Sequence, residues 1–313
     1  MFLSARPCGA LKPARLALII GVIVAGSVAA DHARAATPAP AAQSSAFVSD
    51  RLSVEVVGQG PDVILIPGFG CSREVWRATA ERLKAGHRVH LVQLAGFAGE
   101  PWRHGDGRFV QPVVDELERY VRAQGLERPA VIGHSMGALV GLMLAQQHPD
   151  AVGKLMSMDS LPFFSALYGP QATAETAAPF ADQAAAGILD TPDAAFRAGQ
   201  AQAAAGFSRD PATRERIVDW TLASDRQAMA AAIREVMTTD ARPGLKAMTT
   251  PVTALYAADA DGGAPAAMAD ALWSREYADL PGVTLVRIDD SRHFIMADQP
   301  ARFAERVDAF LAD

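Results

Sequence analysis

Ala130-Val-Ile-Gly-His-Ser-Met-Gly137 is the stretch on which the fold turns. Ala130 to Ile132 is a short apolar run with β-branched residues, the pattern of a buried strand. It runs without a spacer into Gly133. From Ser135 to Gln147 the residues favour a helix, which ends before Pro149. A G-x-S-x-G pentapeptide set between a strand and a helix demands a tight turn. Ser135 then takes a strained backbone conformation, and its hydroxyl is pushed out above the sheet where the helix begins. Gly133 and Gly137 leave room for the close crossing, and the helix N-terminus favours negative charge developing nearby. The competing reading is a serine that merely caps the helix. The strand–turn–helix setting weighs against it.

Outward from this turn the chain alternates between two apolar periods. Leu52 to Val57 alternates with period two, as an edge strand does. Val63-Ile-Leu-Ile66, stopped by Pro67-Gly68, reads as a strand buried on both faces. Val89–Val92, Leu155–Met158, Val252–Tyr256 and Val283–Ile288 read as further strands. Helices are expected over Ser72–Lys84, Val110–Ala123 and Ala301–Leu311. Strands separated by helices predict an α/β fold, a mostly parallel twisted sheet with helices on both faces. From Leu161 to Lys246 no strand is evident. The stretch is Ala-rich, with helical pieces at Ala212–Leu222 and Arg226–Thr238, and reads as a helical insert, because simple connections are far shorter.

The first 35 residues read differently. Arg6, Lys12 and Arg15 precede an apolar run from Leu16 to Ala30, and Ala33-Arg-Ala35 has the form of a signal-peptidase site. The run falls short of the roughly 20 residues of a membrane span. The expectation is a cleaved export signal (1–35), a Pro-rich tether (36–46), a core formed by 47–160 and 247–313, and an insert at 161–246. A retained N-terminal anchor is the alternative. The mature protein would be periplasmic or secreted, with no stable membrane insertion. Cleavage leaves Cys71 as the single cysteine, so no internal disulfide can hold the fold. The net charge of −6, without a basic cluster, argues against nucleic acid as a partner. No H-E-x-x-H pattern, phosphate loop or dinucleotide fingerprint is present, so neither a metal nor a cofactor is expected. The residues do not specify an oligomeric state.

The elbow together with three other motifs resembles the α/β-hydrolase superfamily, in the branch that carries a helical cap. The resemblance covers about residues 50–313. Pro67-Gly-Phe-Gly-Cys-Ser72, followed by Trp76, matches the loop after the first buried strand, with Pro-Gly where the family often has His-Gly. The resemblance implies an oxyanion hole built from the backbone N–H groups of Phe69 and Met136. Of the seven histidines, His293 follows the last strand in His293-Phe294…Pro300…Phe303, the pattern of the family's catalytic base. Arg292 stands where the family usually has Gly. His134 lies inside the elbow and is set aside.

A serine hydroxyl is a poor nucleophile until a base takes its proton, and the base needs an acid to hold its tautomer. The expected order is Ser, acid, His. The loop Ala257-Ala-Asp-Ala-Asp-Gly-Gly-Ala-Pro265 offers two candidates. Distance from the strand end favours Asp259, and spacing to Pro265 favours Asp261, the alternative acid. Asp259 is taken as the acid, the loser being a loop-capping residue, and Asp159 is a third option used by some relatives. Ser135, His293 and Asp259 then imply acyl transfer from a small-molecule carboxylic ester through an acyl-enzyme. An amide, thioester or C–C bond substrate, an acyltransferase, or a non-catalytic binding module on the same fold are the alternatives. Phe163, Phe164, Leu167, Tyr168, Phe180 and Phe207 are candidates for an apolar pocket, although packing is the commoner fate of such residues. Gly96-Phe-Ala-Gly99 reads as a substrate-side loop.

Overall fold

Seven strands form one sheet: β1 (Leu52–Val57), β2 (Asp62–Ile66), β3 (Arg88–Leu94), β4 (Ala130–His134), β5 (Lys154–Met158), β6 (Val252–Ala258) and β7 (Thr284–Asp289). Their order is β1-β3-β2-β4-β5-β6-β7. β1 runs antiparallel to β3, and every other pairing is parallel. The structure is a computed structural model that describes residues 47–105 and 107–312, so the expected export signal and tether lie outside the described residues.

The period of two along β2 shows why the sheet is covered twice. Ile64 and Ile66 face one apolar layer, with Val131 of β4 and Val113, Val114 and Leu117 of α2 (Val110–Ala123). Val63 and Leu65 face the other, with Ile132 of β4, Trp76 and Phe303. Each such side chain, taken wholly out of water, contributes about 1.5–3 kcal/mol. Trp76 ends a short 3₁₀ turn that leads into α1 (Arg77–Leu83), and Ser72 caps that turn by accepting from Glu74 N at 3.2 Å. The expected single helix over Ser72–Lys84 is therefore two pieces.

α3 (Met136–Gln147) follows β4 and is buried along nearly its whole length, which explains its uniformly apolar sequence. Between β5 and β6 lie α4 (Ala174–Asp190), α5 (Asp193–Phe207), α6 (Pro211–Ala223), α7 (Arg226–Thr238) and the short α8 (Arg242–Leu245). The two ends of this insert meet: Phe163 bridges Asp240, and Ala241 N–H donates to Pro162 O at 2.9 Å. α4 and α7 bury small residues, Ala177, Ala181 and Ala185 on one and Ala228, Ala231 and Ala232 on the other. After β6 come α9 (Ala266–Glu276), α10 (Ile295–Asp298) and α11 (Pro300–Ala312).

Gly96–Gly99 has a different duty from the substrate-side loop expected. Gly96 O accepts from Asp225 N at 2.8 Å, Gly99 N donates to Ala223 O at 3.1 Å, and Ala98 N donates to Ser224 Oγ at 2.9 Å. Phe97 is fully buried. The loop seats the α6–α7 turn of the insert on the sheet domain.

Candidate active site

Ser135 sits between β4 and α3 with φ 54° and ψ −123°, a left-handed conformation that costs a non-glycine residue about 1–3 kcal/mol. Its surroundings hold it there. Ser135 N donates to Met158 O at 2.9 Å, and its carbonyl accepts from Ala138 and Leu139. A Cβ on Gly133 would lie 2.4 Å from Gly137 O, and one on Gly137 would lie 2.5 Å from both Ile66 O and Pro67 O. Backbone atoms cannot yield to such contacts, so both positions require glycine. The Ser135 side chain makes no capping hydrogen bond to α3, so the helix-cap reading of this serine fails.

His293 lies in the loop between β7 and α10. Its Nδ1 is 2.7 Å from Asp159 Oδ2. Asp159 follows β5 directly, and its other carboxylate oxygen accepts from Ala257 N at 2.9 Å. Asp159 N–H donates to Leu255 O at 2.7 Å, which fixes the residue in a left-handed turn (φ 48°) against β6. Nδ1–H donation to a carboxylate leaves Nε2 of His293 as the basic nitrogen. Ser135 and His293 line one cavity of about 480 Å³.

Two backbone donors border the same space. Met136 is the first residue of α3, where an amide has no intrahelical acceptor. Phe69 lies in the loop after β2, brought close by Gly68, where a Cβ would sit 3.1 Å from Ser135 Cβ. Among the described residues, neither amide donates to a protein acceptor outside the regular elements. Both residues line the cavity.

The rest of the cavity is mostly apolar, with Leu139 from α3, Leu161 and Phe164 from the first residues of the insert, and Ala203, Phe207 and Ile217 from its helices. Of the six candidate pocket residues, Phe164, Leu167 and Phe207 line it. Phe163 is buried beneath the Arg242 guanidinium at 4.6 Å, and Tyr168 and Phe180 are exposed. Among the described residues, Asp159 is the one carboxylate that lines the cavity, and no lysine or arginine does. Among the described residues no three His, Cys, Asp or Glu side chains gather as a metal-binding group.

A sequence profile of the Alpha/beta hydrolase family matches residues 63–306. The chain belongs to this family. A pimeloyl-[acyl-carrier protein] methyl ester esterase from Aliivibrio fischeri (strain MJ11) is 30% identical over 200 residues, spanning 64% of this chain and 75% of that protein. Its counterpart from Vibrio atlanticus is 35% identical, with the match spanning 39% of this chain and 45% of that protein. Among solved structures, a hydrolase from Pseudomonas aeruginosa PA01 superposes with a TM-score of 0.69 at 20% identity, covering 84% of this chain and 94% of that one. A thermophilic esterase from Thermogutta terrifontis superposes at 0.68 with 22% identity, covering 83% and 93%. At these identities the solved structures establish the fold.

Within this α/β-hydrolase the acid expected at Asp259 is elsewhere. β6 runs on to Ala258, so counting from Tyr256 started the turn two residues early. Asp259 is buried and accepts from Arg209 Nη1 at 2.7 Å and Arg292 Nε at 2.8 Å. Burial alone would raise its pKa, but the Arg292 hydrogen bond and the two positive charges bring it below the ordinary value. It also accepts from Asp261 N at 3.2 Å, the loop-capping duty expected of the candidate not used as acid. Asp261 is 81% exposed and reaches only the edge of Arg209, at 3.8 Å. Neither touches His293, and the acid on its imidazole is Asp159, the third option.

His134, set aside from the sequence, is part of the site. It is buried, and its Nε2 donates to His293 O at 3.0 Å. The two rings lie 4.5 Å apart. Burial, and then the neighbouring His293, push its pKa well below the ordinary value, so it remains neutral. A histidine one residue before the nucleophile is the signal that could have marked it. Tyr277 was also missed: its buried hydroxyl donates to Ser160 O at 2.9 Å and pairs with Ser157 Oγ at 2.8 Å, bracing both sides of Asp159. Cys71 lines the cavity, but burial pushes its thiol up to about 12, so it stays protonated and inert.

Proposed function

We propose that this α/β-hydrolase is an exported serine hydrolase that cleaves carboxylic esters of uncharged, apolar acyl groups through Ser135, His293 and Asp159. The observation that carries the reading is the 2.7 Å contact between His293 Nδ1 and Asp159 Oδ2 beside a cavity that Ser135 also lines. The names of the relatives from Aliivibrio fischeri and Vibrio atlanticus, both methyl ester esterases, support ester chemistry.

The steps of this reading are those of an acyl-enzyme mechanism. Ser135 Oγ attacks the ester carbonyl while His293 Nε2 takes its proton. The carbonyl oxygen becomes an oxyanion that accepts from the Phe69 and Met136 amides, each such donor being worth about 3–4 kcal/mol of barrier reduction. The tetrahedral intermediate collapses, the C–O bond to the alcohol breaks, and His293 returns the proton to the leaving oxygen. Water then repeats the sequence on the acyl-enzyme, releasing the acid and free Ser135.

The uncharged acyl group is argued from the lining. A charge taken from water into an apolar site without a partner is costly, and Asp159 and His293 are committed to each other. p-Nitrophenyl esters with alkyl acyl chains are therefore expected to be cleaved at least about tenfold faster, in kcat/KM, than esters of equal length ending in a carboxylate. Equal rates on both, or no cleavage of any ester, would remove this reading and leave an amide or C–C bond substrate in its place. The chain-length optimum measures the depth of the cavity.

Export is supported by the basic residues, apolar run and Ala33-Arg-Ala35. Chain recovered from the exporting cell is expected to begin near Ala36 by N-terminal sequencing. A chain still carrying residues 1–35 would be an anchored form instead.

A further inference from the structure

Asp259 occupies the loop in which an acid was expected, yet its carboxylate joins two arginines from different parts of the molecule. Arg292 precedes His293 in the β7–α10 loop, and Arg209 lies in the α5–α6 turn of the insert. Asp298, at the end of α10, ties the same two segments a second time. Its Oδ2 accepts from Arg292 N at 2.8 Å, while Oδ1 accepts from Ser208 Oγ at 2.6 Å and Arg209 N at 2.9 Å. Three further bonds join the same segments: Asp210 N donates to Asp298 Oδ1 at 3.4 Å, Phe294 N–H donates to Phe207 O at 3.0 Å, and Arg292 Nη1 donates to Ala205 O.

Both neighbours of His293 in the chain are thus hydrogen-bonded to one stretch of the insert, residues 205–209. That stretch ends α5, and α5 is otherwise weakly held, with only Phe196 and Ala204 buried along its length. α5 also contributes Gln200, Ala203 and Phe207 to the cavity, and the Phe207 ring lies 5.7 Å from the imidazole. The element that lines the cavity and the loop that carries the base are therefore fastened together.

We propose that Asp259 and Asp298 are positioning residues that latch the insert to the histidine loop and so set where His293 stands relative to the bound acyl group. This rests on the reading of Ser135 and His293 given above. Asp159 fixes one nitrogen of the imidazole and His134 holds the His293 carbonyl, but neither contact limits the loop's freedom on the side of the insert. The latch removes this freedom from the opposite side, through the main chain of residues 292 and 294. Misplacing a reacting group by about 1 Å costs about 100-fold in rate, so a loosened latch acts on turnover more than on binding.

The test is steady-state kinetics on an activated ester, well below each variant's melting temperature, for Asp259→Asn, Asp298→Asn and Arg209→Met, with Asp261→Asn as control. The expected result for the first three is a fall in kcat of about 10- to 100-fold, with KM held within about threefold. Asp259→Glu recovers part of the loss, and the control matches the wild-type protein. Asp259→Asn combined with Arg209→Met falls no further than the worse single variant, because both break one linkage. If Asp259→Asn does not fold, Arg209→Met decides alone, since it leaves Arg292 on Asp259 and removes only the insert's side-chain tie to that carboxylate. Folded variants with wild-type kcat, or losses confined to KM, overturn the latch. If Ser135→Ala keeps wild-type activity, it is the serine hydrolase reading that falls instead.

Discussion

Ser135→Ala is expected to abolish ester hydrolysis, with a loss in kcat of about 10⁶-fold, the scale on which loss of a serine nucleophile is felt. Removing Oγ removes the covalent route, and the oxyanion donors and the cavity then act only on attack by water. The fold should be untouched, because the serine side chain caps nothing and its carbonyl and amide carry the local hydrogen bonds. A companion substitution separates chemistry from strain. Ser135 is held at φ 54° and ψ −123°, where glycine is at ease and alanine is not. Ser135→Gly should therefore be as inactive as Ser135→Ala yet melt higher, by the equivalent of about 1 kcal/mol after the added freedom of glycine in the unfolded chain is subtracted. The two variants, assayed side by side and melted by circular dichroism, give activity and strain independently. Hydrolysis persisting in Ser135→Ala would end the case for an acyl-enzyme on this residue. Equal melting of the two would mean that the surroundings do not impose the strained turn.

The central strands were legible because they are buried on both faces and so carry apolar runs, as at Val63–Ile66, and the edge strand β1 by its period of two. The elbow was legible because its glycines are dictated by backbone approaches of 2.4–2.5 Å that no other residue survives. The helices α4, α5 and α9 were not, because they bury alanines and present few large side chains from which a period of 3.6 could be read. The acid was hidden for a different reason. Chain order admits Asp159, Asp259 and Asp261 alike, and what separates them is which carboxylate is already occupied. Arg209 and Arg292 occupy Asp259 from positions distant in the sequence. One trace of this was visible: Arg292 stands where relatives usually have glycine, and a cation beside the base calls for a nearby carboxylate. Read that way, the departure at Arg292 would have drawn a carboxylate of the β6 loop away from the triad and raised Asp159 against it.

Asp159→Asn should consequently lower kcat by about 10⁴-fold, whereas Asp259→Asn should lose no more than about 100-fold. The two residues differ in what they ask of the imidazole. Asp159 accepts from Nδ1 at 2.7 Å, and this bond keeps the proton on Nδ1 and the lone pair on Nε2, facing the cavity. An asparagine there can turn its amide N–H₂ toward Nδ1, which then becomes an acceptor and moves the proton to Nε2, the wrong nitrogen for a base. The replacement also withdraws the negative charge that stabilises the imidazolium formed when Ser135 gives up its proton. Stability should change little, since the amide oxygen can still accept from Ala257 N, now at 2.9 Å from Oδ1. The defect should shrink as pH rises, because hydroxide can attack a bound ester without a general base, and it should act on kcat with KM nearly unchanged. Parallel pH–rate profiles of the wild type, Asp159→Asn and Asp259→Asn test the assignment directly. A larger loss in Asp259→Asn than in Asp159→Asn would return the acid to the β6 loop. It would then require Arg209 and Arg292 to release Asp259 when substrate binds.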